Sequence, residues 1–335
     1  MVYIHKKIIG NQTYYTLRIS ERNGNRVITK DICSLGTDLK KITLEKLEGK
    51  YHDAIRKSHK TLKRFLESNI YEEQIQQLKL KKYELLTKDA LEIIEATKLH
   101  YNNRFLKLDN KTRTEILENF LIRFAVNSTA IEGNTINIKN ATRLLQEDII
   151  PKDHTMREVY DLTNTKKVFY ELLQIHPELS IKLIIDIHDK LLEGIDNRKG
   201  FRNHDIHIFG QPFKPTPAQY INADMKLLLE WYINNKKRLH PFVLAVLFHH
   251  KFESIHPFSD GNGRTGRMLM NHILILNKYP PVVVNRKDRK EYLDTMSIAD
   301  KAIKKSLISI DITYDKLTSF VSYQLQQSYW DIFLF

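Results

Sequence analysis

Along the first 36 residues apolar and polar side chains alternate with a period of two, and from residue 43 onward the period becomes that of a helix. Tyr15, Leu17 and Ile19 are separated by polar neighbours, Asn23-Gly24-Asn25 offers a tight turn, and Val27-Ile28 resumes the alternation. Successive strand side chains point to opposite faces, so the pattern predicts a hairpin with one buried face. It extends to a small meander of three strands ending near Ser34-Leu35-Gly36. From Thr43 the apolar residues recur at helical spacing. Leu47, Tyr51, Ile55, Leu62 and Leu66 mark one helix, and Ile75, Leu78, Leu80, Tyr83 and Leu85 predict the next. Residues 91–106 and 112–126 continue the helical run.

Pro215-Thr216-Pro217 breaks that run, and Ile206-His207-Ile208-Phe209-Gly210 just before it reads as a short strand pair or flap between two helices. Helices are expected again over 217–235 and 240–254, then a brief extended stretch at Pro280-Pro281-Val282-Val283-Val284, then helices from Lys287 to the end. No Pro/Gly/Ser-rich linker, internal repeat or low-complexity tract divides this body. The expected organisation is a small β appendage (1–42), a helical region (43–179), a core (180–295) and C-terminal helices (296–335), in a mainly α chain.

Composition agrees with a helix-rich folded chain: 42% hydrophobic and 28% charged residues, with 11 Gly and 9 Pro in 335, exclude collagen-like and disordered classes. No apolar run approaches the ~20 residues of a membrane span, so no membrane partner is expected. Lys and Arg number 53 against 40 Asp and Glu, a formal charge of +13. These charges are scattered rather than blocked, so they read either as a solvated coat or as a surface for polyanions, nucleic acid included. Cys33 is alone and has no metal-site spacing around it, and the Met1-Val2-Tyr3-Ile4-His5-Lys6-Lys7 start lacks the apolar stretch of a secretory signal. A reducing cytoplasm is the expected compartment.

The segment that carries chemistry is His256-Pro257-Phe258-Ser259-Asp260-Gly261-Asn262-Gly263-Arg264-Thr265-Gly266-Arg267, which opens an apolar helix from Met268 to Leu276. Gly261 and Gly263 let backbone N–H groups turn toward a ligand, and a helix N-terminus favours an anion there. Arg264 and Arg267, three apart, share a helical face, so two guanidinium groups can reach one phosphate chain. Asp260 is a hard oxygen ligand suited to Mg²⁺, and His256 can take a proton near neutral pH. Gly261-x-Gly263-x-x-Gly266 also matches a dinucleotide fingerprint, but residues 242–252 before it read as helix and no βαβ repeat surrounds it. No Gly-Lys-Ser/Thr loop occurs.

This segment is similar in full to the signature H-P-F-x-D/E-G-N-G-R-x-x-R of the Fic family. The resemblance runs from about residue 180 to 295 and takes in His188, Gly200-Phe201-Arg202 and the flap. It implies a mostly helical core with a short β flap that binds ATP with Mg²⁺ and transfers AMP to a Ser, Thr or Tyr hydroxyl of a protein. Carried onto this chain, His256 would be the base and Phe258 the anchor of the loop. Asp260 would hold Mg²⁺. Gly261, Asn262 and Gly263 would cradle the anion, with Arg264 on the phosphates and Arg267 on the γ-phosphate. Ile206, His207 and Ile208 would form the flap that pairs with the target peptide, and Tyr292 resembles the aromatic near the adenine, or else is a helix core residue.

Ser128-Thr129-Ala130-Ile131-Glu132-Gly133-Asn134 resembles the S/T-x-x-x-E-G/N motif of self-restrained Fic proteins, on a helix expected near 112–133. The resemblance implies that Ser128, Glu132 and Gly133 form a plug in which Glu132 pairs with Arg267 and occupies the γ-phosphate site. An exposed Glu132 at a helix C-terminus capped by Gly133 is the plain alternative. In relatives with such a glutamate the same site can also remove AMP. Rival functions are a nucleic-acid-associated regulator whose site senses a nucleotide, and a transferase using another donor. His249 and His250 read as helix packing and surface, not metal ligands, because no His-Glu-x-x-His or Cys cluster accompanies them. The Tyr329-Trp330-Asp331-Ile332-Phe333-Leu334-Phe335 segment either docks on the core or joins copies of the chain. A protein substrate is the expected partner; the chain itself as target and a homodimer stay open.

Overall fold

The computed structural model describes residues 1–24, 26–43, 52–207 and 214–334. Three antiparallel strands open it, β1 (Val2–Ile9), β2 (Gln12–Asn23) and β3 (Arg26–Gly36), in the order β1-β2-β3. The alternation sets the register: Ile4 lies opposite Leu17 and Val2 opposite Ile19, and Val2, Ile4, Tyr15 and Leu17 are buried. Asn23 pairs with Arg26 across the expected turn, whose Asn25 lies outside the described residues. Helices α1 (His52–Lys57) and α2 (His59–Gln76) cover the inner face with Ile55, Leu62 and Leu66, making a small core of their own with the sheet. Leu47 and Tyr51 lie outside the described residues.

The helix expected over Ile75–Leu85 does not form. Ile75 belongs to the end of α2, and residues 79–83 have no helical backbone. Two local facts explain this. Thr87 caps a new helix, α3 (Lys88–Asn103), by accepting from the Ala90 N–H at 3.2 Å with its own backbone extended, so no helix runs through it. Leu85 sits at φ +68°, and it is buried while Leu80 and Leu86 pack beside it, so these side chains reach the core from a loop.

The remaining helices are α4 (Asn110–Ile131), α5 (Ile138–Glu147), α6 (Met156–Ile175), α7 (Ile181–Leu191), α8 (Ile221–Asn235), α9 (Pro241–Ile255), α10 (Asn262–Leu276), α11 (Arg289–Ile303) and α12 (Asp315–Ile332). α9 and α10 lie at the centre: every residue of α9 from Phe242 to Phe252 is buried, as is α10 from Arg264 to Ile275. A helix apolar all round must be covered on every side, and α4, α7, α8, α11 and α12 contribute to that one core. The C-terminal aromatics dock onto it: Phe333 meets the rings of Tyr101, Phe105 and Phe120, and Tyr329 and Trp330 are buried. Burying such side chains stabilises by about 1.5–3 kcal/mol each. The 280–284 stretch is non-helical but pairs with a side chain, since Asn271 accepts from the Val282 N–H at 2.6 Å and donates to its carbonyl at 3.1 Å. Ile206 and His207 have irregular backbone, and Ile208 lies outside the described residues. No helix among the described residues is long and apolar enough to cross a membrane.

Candidate active site

α9 ends at His256, whose left-handed backbone (φ +53°) turns the chain sharply into the loop 257–261. The loop is fastened from inside. Asn262 accepts from the Phe258 N–H at 2.9 Å and donates to its carbonyl at 2.8 Å. Phe258 is buried and stacks on His188 with ring centroids 3.6 Å apart and planes 4° from parallel. Arg202 braces the outside, donating to the carbonyls of His256 (2.9 Å), His204 (2.7 Å) and Thr216 (2.5 Å). Gly261 (φ +74°) begins α10, and no side chain caps it, which leaves the first N–H groups of that helix to a ligand. A Cβ at Gly261 would stand 2.6 Å from Leu192 Cδ2, so the tight turn requires glycine. The Asn262 side chain is thus occupied within the loop, which leaves its backbone N–H as the group it could offer a ligand.

Beside the loop lies a cavity of about 440 Å³, lined by Glu132, Glu253, His256, Asp260, Gly261, Asn262, Gly263, Arg267, Arg289 and Tyr292. His256 Nδ1 stands 3.3 Å from the Glu253 carbonyl. A carbonyl only accepts, so Nδ1 carries the proton and Nε2 keeps its lone pair. Burial pushes the His256 pKa down to about 4, which keeps the ring neutral at physiological pH. Asp260 is held below the usual carboxylate range: burial acts against ionisation, but the guanidinium groups of Arg264 and Arg157 outweigh it.

α4 ends at Ile131, and Gly133 follows at φ +108°, so the C-terminal location and the glycine of the plain alternative are both present. The Glu132 side chain nevertheless turns into the site. Its Oε1 accepts from Arg267 Nη2 at 2.7 Å and its Oε2 from Arg264 Nε at 2.9 Å. The pairing therefore spans both signature arginines, whereas the sequence pointed to Arg267 alone. Ser128 completes the contact, its Oγ accepting from Arg267 Nε (3.0 Å) and its carbonyl from Nη2 (2.8 Å). A Cβ at Gly263 would overlap the Glu132 carboxylate, so this glycine makes room for it.

Tyr292 lines the cavity but is 2% exposed, and its hydroxyl bonds His249 Nε2 at 2.6 Å. His250 is also buried, beside Tyr314 and Asp300, so neither histidine lies at the surface. Besides Glu253 and Arg289 in the cavity lining, two partners of the signature residues escaped the sequence reading: Asp161, which bonds Arg264 Nη1, and Arg157, which bonds Asp260 Oδ2. Both lie 103 residues from their partners, and no motif marks them.

A neutral histidine, a carboxylate and two arginines thus stand around an uncapped helix N-terminus, an arrangement chemically able to receive an anion and to accept a proton beside it. Residues 178–274 match the Fic/DOC family. That match takes in the whole segment from His256 to Arg267. The chain is 30% identical over 191 residues to the protein adenylyltransferase Fic of Aedes aegypti, a match covering 54% of this chain and 37% of that one. With the protein adenylyltransferase Fic of Nematostella vectensis it shares 32% over 178 residues, 52% of this chain and 42% of that one. The chain thus spans less than half the length of these relatives. Its fold is similar to that of a Fic domain containing signalling protein from Bacteroides thetaiotaomicron (TM-score 0.64, 22% identity, 70% of this chain and 93% of that one). It is similar also to Fic-1 of C. elegans (TM-score 0.59, 23% identity, 73% of this chain and 71% of that one).

Proposed function

We propose that this chain is a protein adenylyltransferase that moves AMP from ATP to a Ser, Thr or Tyr hydroxyl, and that Glu132 restrains it. The observation that carries this reading is the single carboxylate bridging both signature arginines beside a neutral His256. His256 Nε2 takes the proton of the target hydroxyl, whose oxygen attacks the α-phosphorus as the bond to the leaving pyrophosphate breaks. The backbone N–H groups of Asn262 and Gly263 bind phosphate oxygens at the turn that Gly261 makes, and Arg264 and Arg267 take the remaining charge. Glu132 stands where the γ-phosphate would meet Arg267, so ATP enters in an unproductive pose until that carboxylate leaves.

Asp260 fits a magnesium ion as a single carboxylate ligand. Among the described residues no cluster of three His, Cys, Asp or Glu side chains could hold a metal alone, so phosphate oxygens and water would complete the shell. The ion would neutralise phosphate charge. The test is to supply the Glu132→Gly form with ATP labelled at the α- or the γ-phosphate. Label from the α-position alone, lost on adding His256→Ala, is the expected result. Transfer of γ-label, or α-label that persists without His256, would overturn the reading.

A further inference from the structure

The first turn of α6 touches the site at several points at once. A capping box sets the start of this helix: Thr155 Oγ accepts from the Glu158 N–H at 3.2 Å, and Glu158 accepts from the Thr155 N–H at 3.0 Å. The other carboxylate oxygen of Glu158 accepts from the backbone N–H and the hydroxyl of Thr135, at 2.9 and 2.7 Å, which ties down the chain just past Gly133. From this fixed turn Arg157 reaches Asp260 Oδ2 and Asp161 reaches Arg264. Arg157, Arg264 and Arg267 thereby join Asp260, Asp161 and Glu132 in one connected set of ion pairs with equal numbers of each sign.

Asp260 Oδ1 already accepts from the Gly261 N–H at 2.6 Å and lies 3.4 Å from Arg264 Nη2. Oδ2 is the oxygen left for a cation, and Arg157 is on it. A guanidinium and a divalent ion repel, so they compete for that one oxygen. The side chain of Arg157 is 57% exposed, against 4% for Arg264 and 3% for Arg267, so it can swing into water without opening the core.

We propose that Arg157 is a positioning residue on the cation side of the site: it holds Asp260 Oδ2 in the resting protein and must leave before a divalent ion binds there. It thereby sets how much divalent cation the nucleotide complex requires. The inference rests on the nucleotide reading above, and it adds to Glu132, which closes the phosphate side, a second contact closing the metal side.

The test uses the full chain in the Glu132→Gly background with ADP and Mn²⁺, free Mn²⁺ being read from its electron paramagnetic resonance signal and ADP by equilibrium dialysis. Arg157→Ala should tighten Mn²⁺ binding about two- to fivefold, the range of an exposed ion pair, with Arg157→Lys between it and the parent. Arg198→Ala is the control, because Arg198 is near enough to act electrostatically on Asp260 but bonds Asp196 instead. Equal tightening by Arg198→Ala, or none by Arg157→Ala, would overturn the proposal. ADP binding without Mn²⁺ in every form would remove Asp260 as the metal ligand and this inference with it, leaving the nucleotide reading intact. Failure to bind ADP at all would sink the nucleotide reading itself.

Discussion

Asp161 and Glu132 both contact Arg264, a guanidinium whose side chain is only 4% exposed, and the two carboxylates stabilise it differently. Asp161 is the more enclosed of the two, so Asp161→Ala should destabilise the fold by about 3 kcal/mol in urea unfolding, as removal of one partner of a buried pair does. Glu132→Gly should be milder, because Asp161 and Asp260 remain on Arg264 and Ser128 on Arg267. His256 yields a second prediction. Since its pKa is lowered to about 4, the acid limb of the pH–rate profile of the Glu132→Gly form should fall near 4 rather than near 6.5. Burial lowers His100 to about 4 as well, so between pH 4 and 6.5 the unfolded chain binds more protons than the folded one. Their contribution is fully present above 6.5 and lost as pH falls toward 4, which thermal melts across that window would register as a falling Tm. The signature segment and Glu132 stood out in the sequence because both resemble Fic motifs in which given residue types recur at fixed spacing. Arg157 and Asp161 did not, because only tertiary folding brings α6 to the loop.

At the scale of elements, the loop 257–261 depends on Phe258 seated between His188 and the core, with Asn262 closing it. Phe258→Ala should cost about 3–5 kcal/mol, and it should lower transfer in the Glu132→Gly form more than it raises the KM for ATP, since the loop follows directly on His256, the proposed base. The strands were readable because alternation has one structural meaning. Leu78, Leu80, Tyr83 and Leu85 misled because apolar spacing reports burial, and a loop pinned by the cap at Thr87 buries leucines as well as a helix does. The valines at 282–284 read correctly as non-helical, but only the structure shows Asn271 taking the place of a strand partner.

The whole molecule has unequal parts. The sheet shares a small core with α1 and α2, and β3 is exposed along most of its length, whereas α9 and α10 are enclosed almost throughout. Amide exchange should therefore be orders of magnitude faster in β3 than in α9. The proposed restraint belongs to this scale, because one carboxylate at the end of α4 bridges arginines on α10 while α6 holds the chain just beyond it. The central claim is that this carboxylate keeps the site shut. The most direct measurement is the initial rate of label transfer from α-labelled ATP and Mg²⁺ to protein, wild type beside Glu132→Gly at equal concentration. The account predicts a rate at least about tenfold higher without the carboxylate, the scale of one charge-assisted pair. Equal rates in the two forms would contradict it.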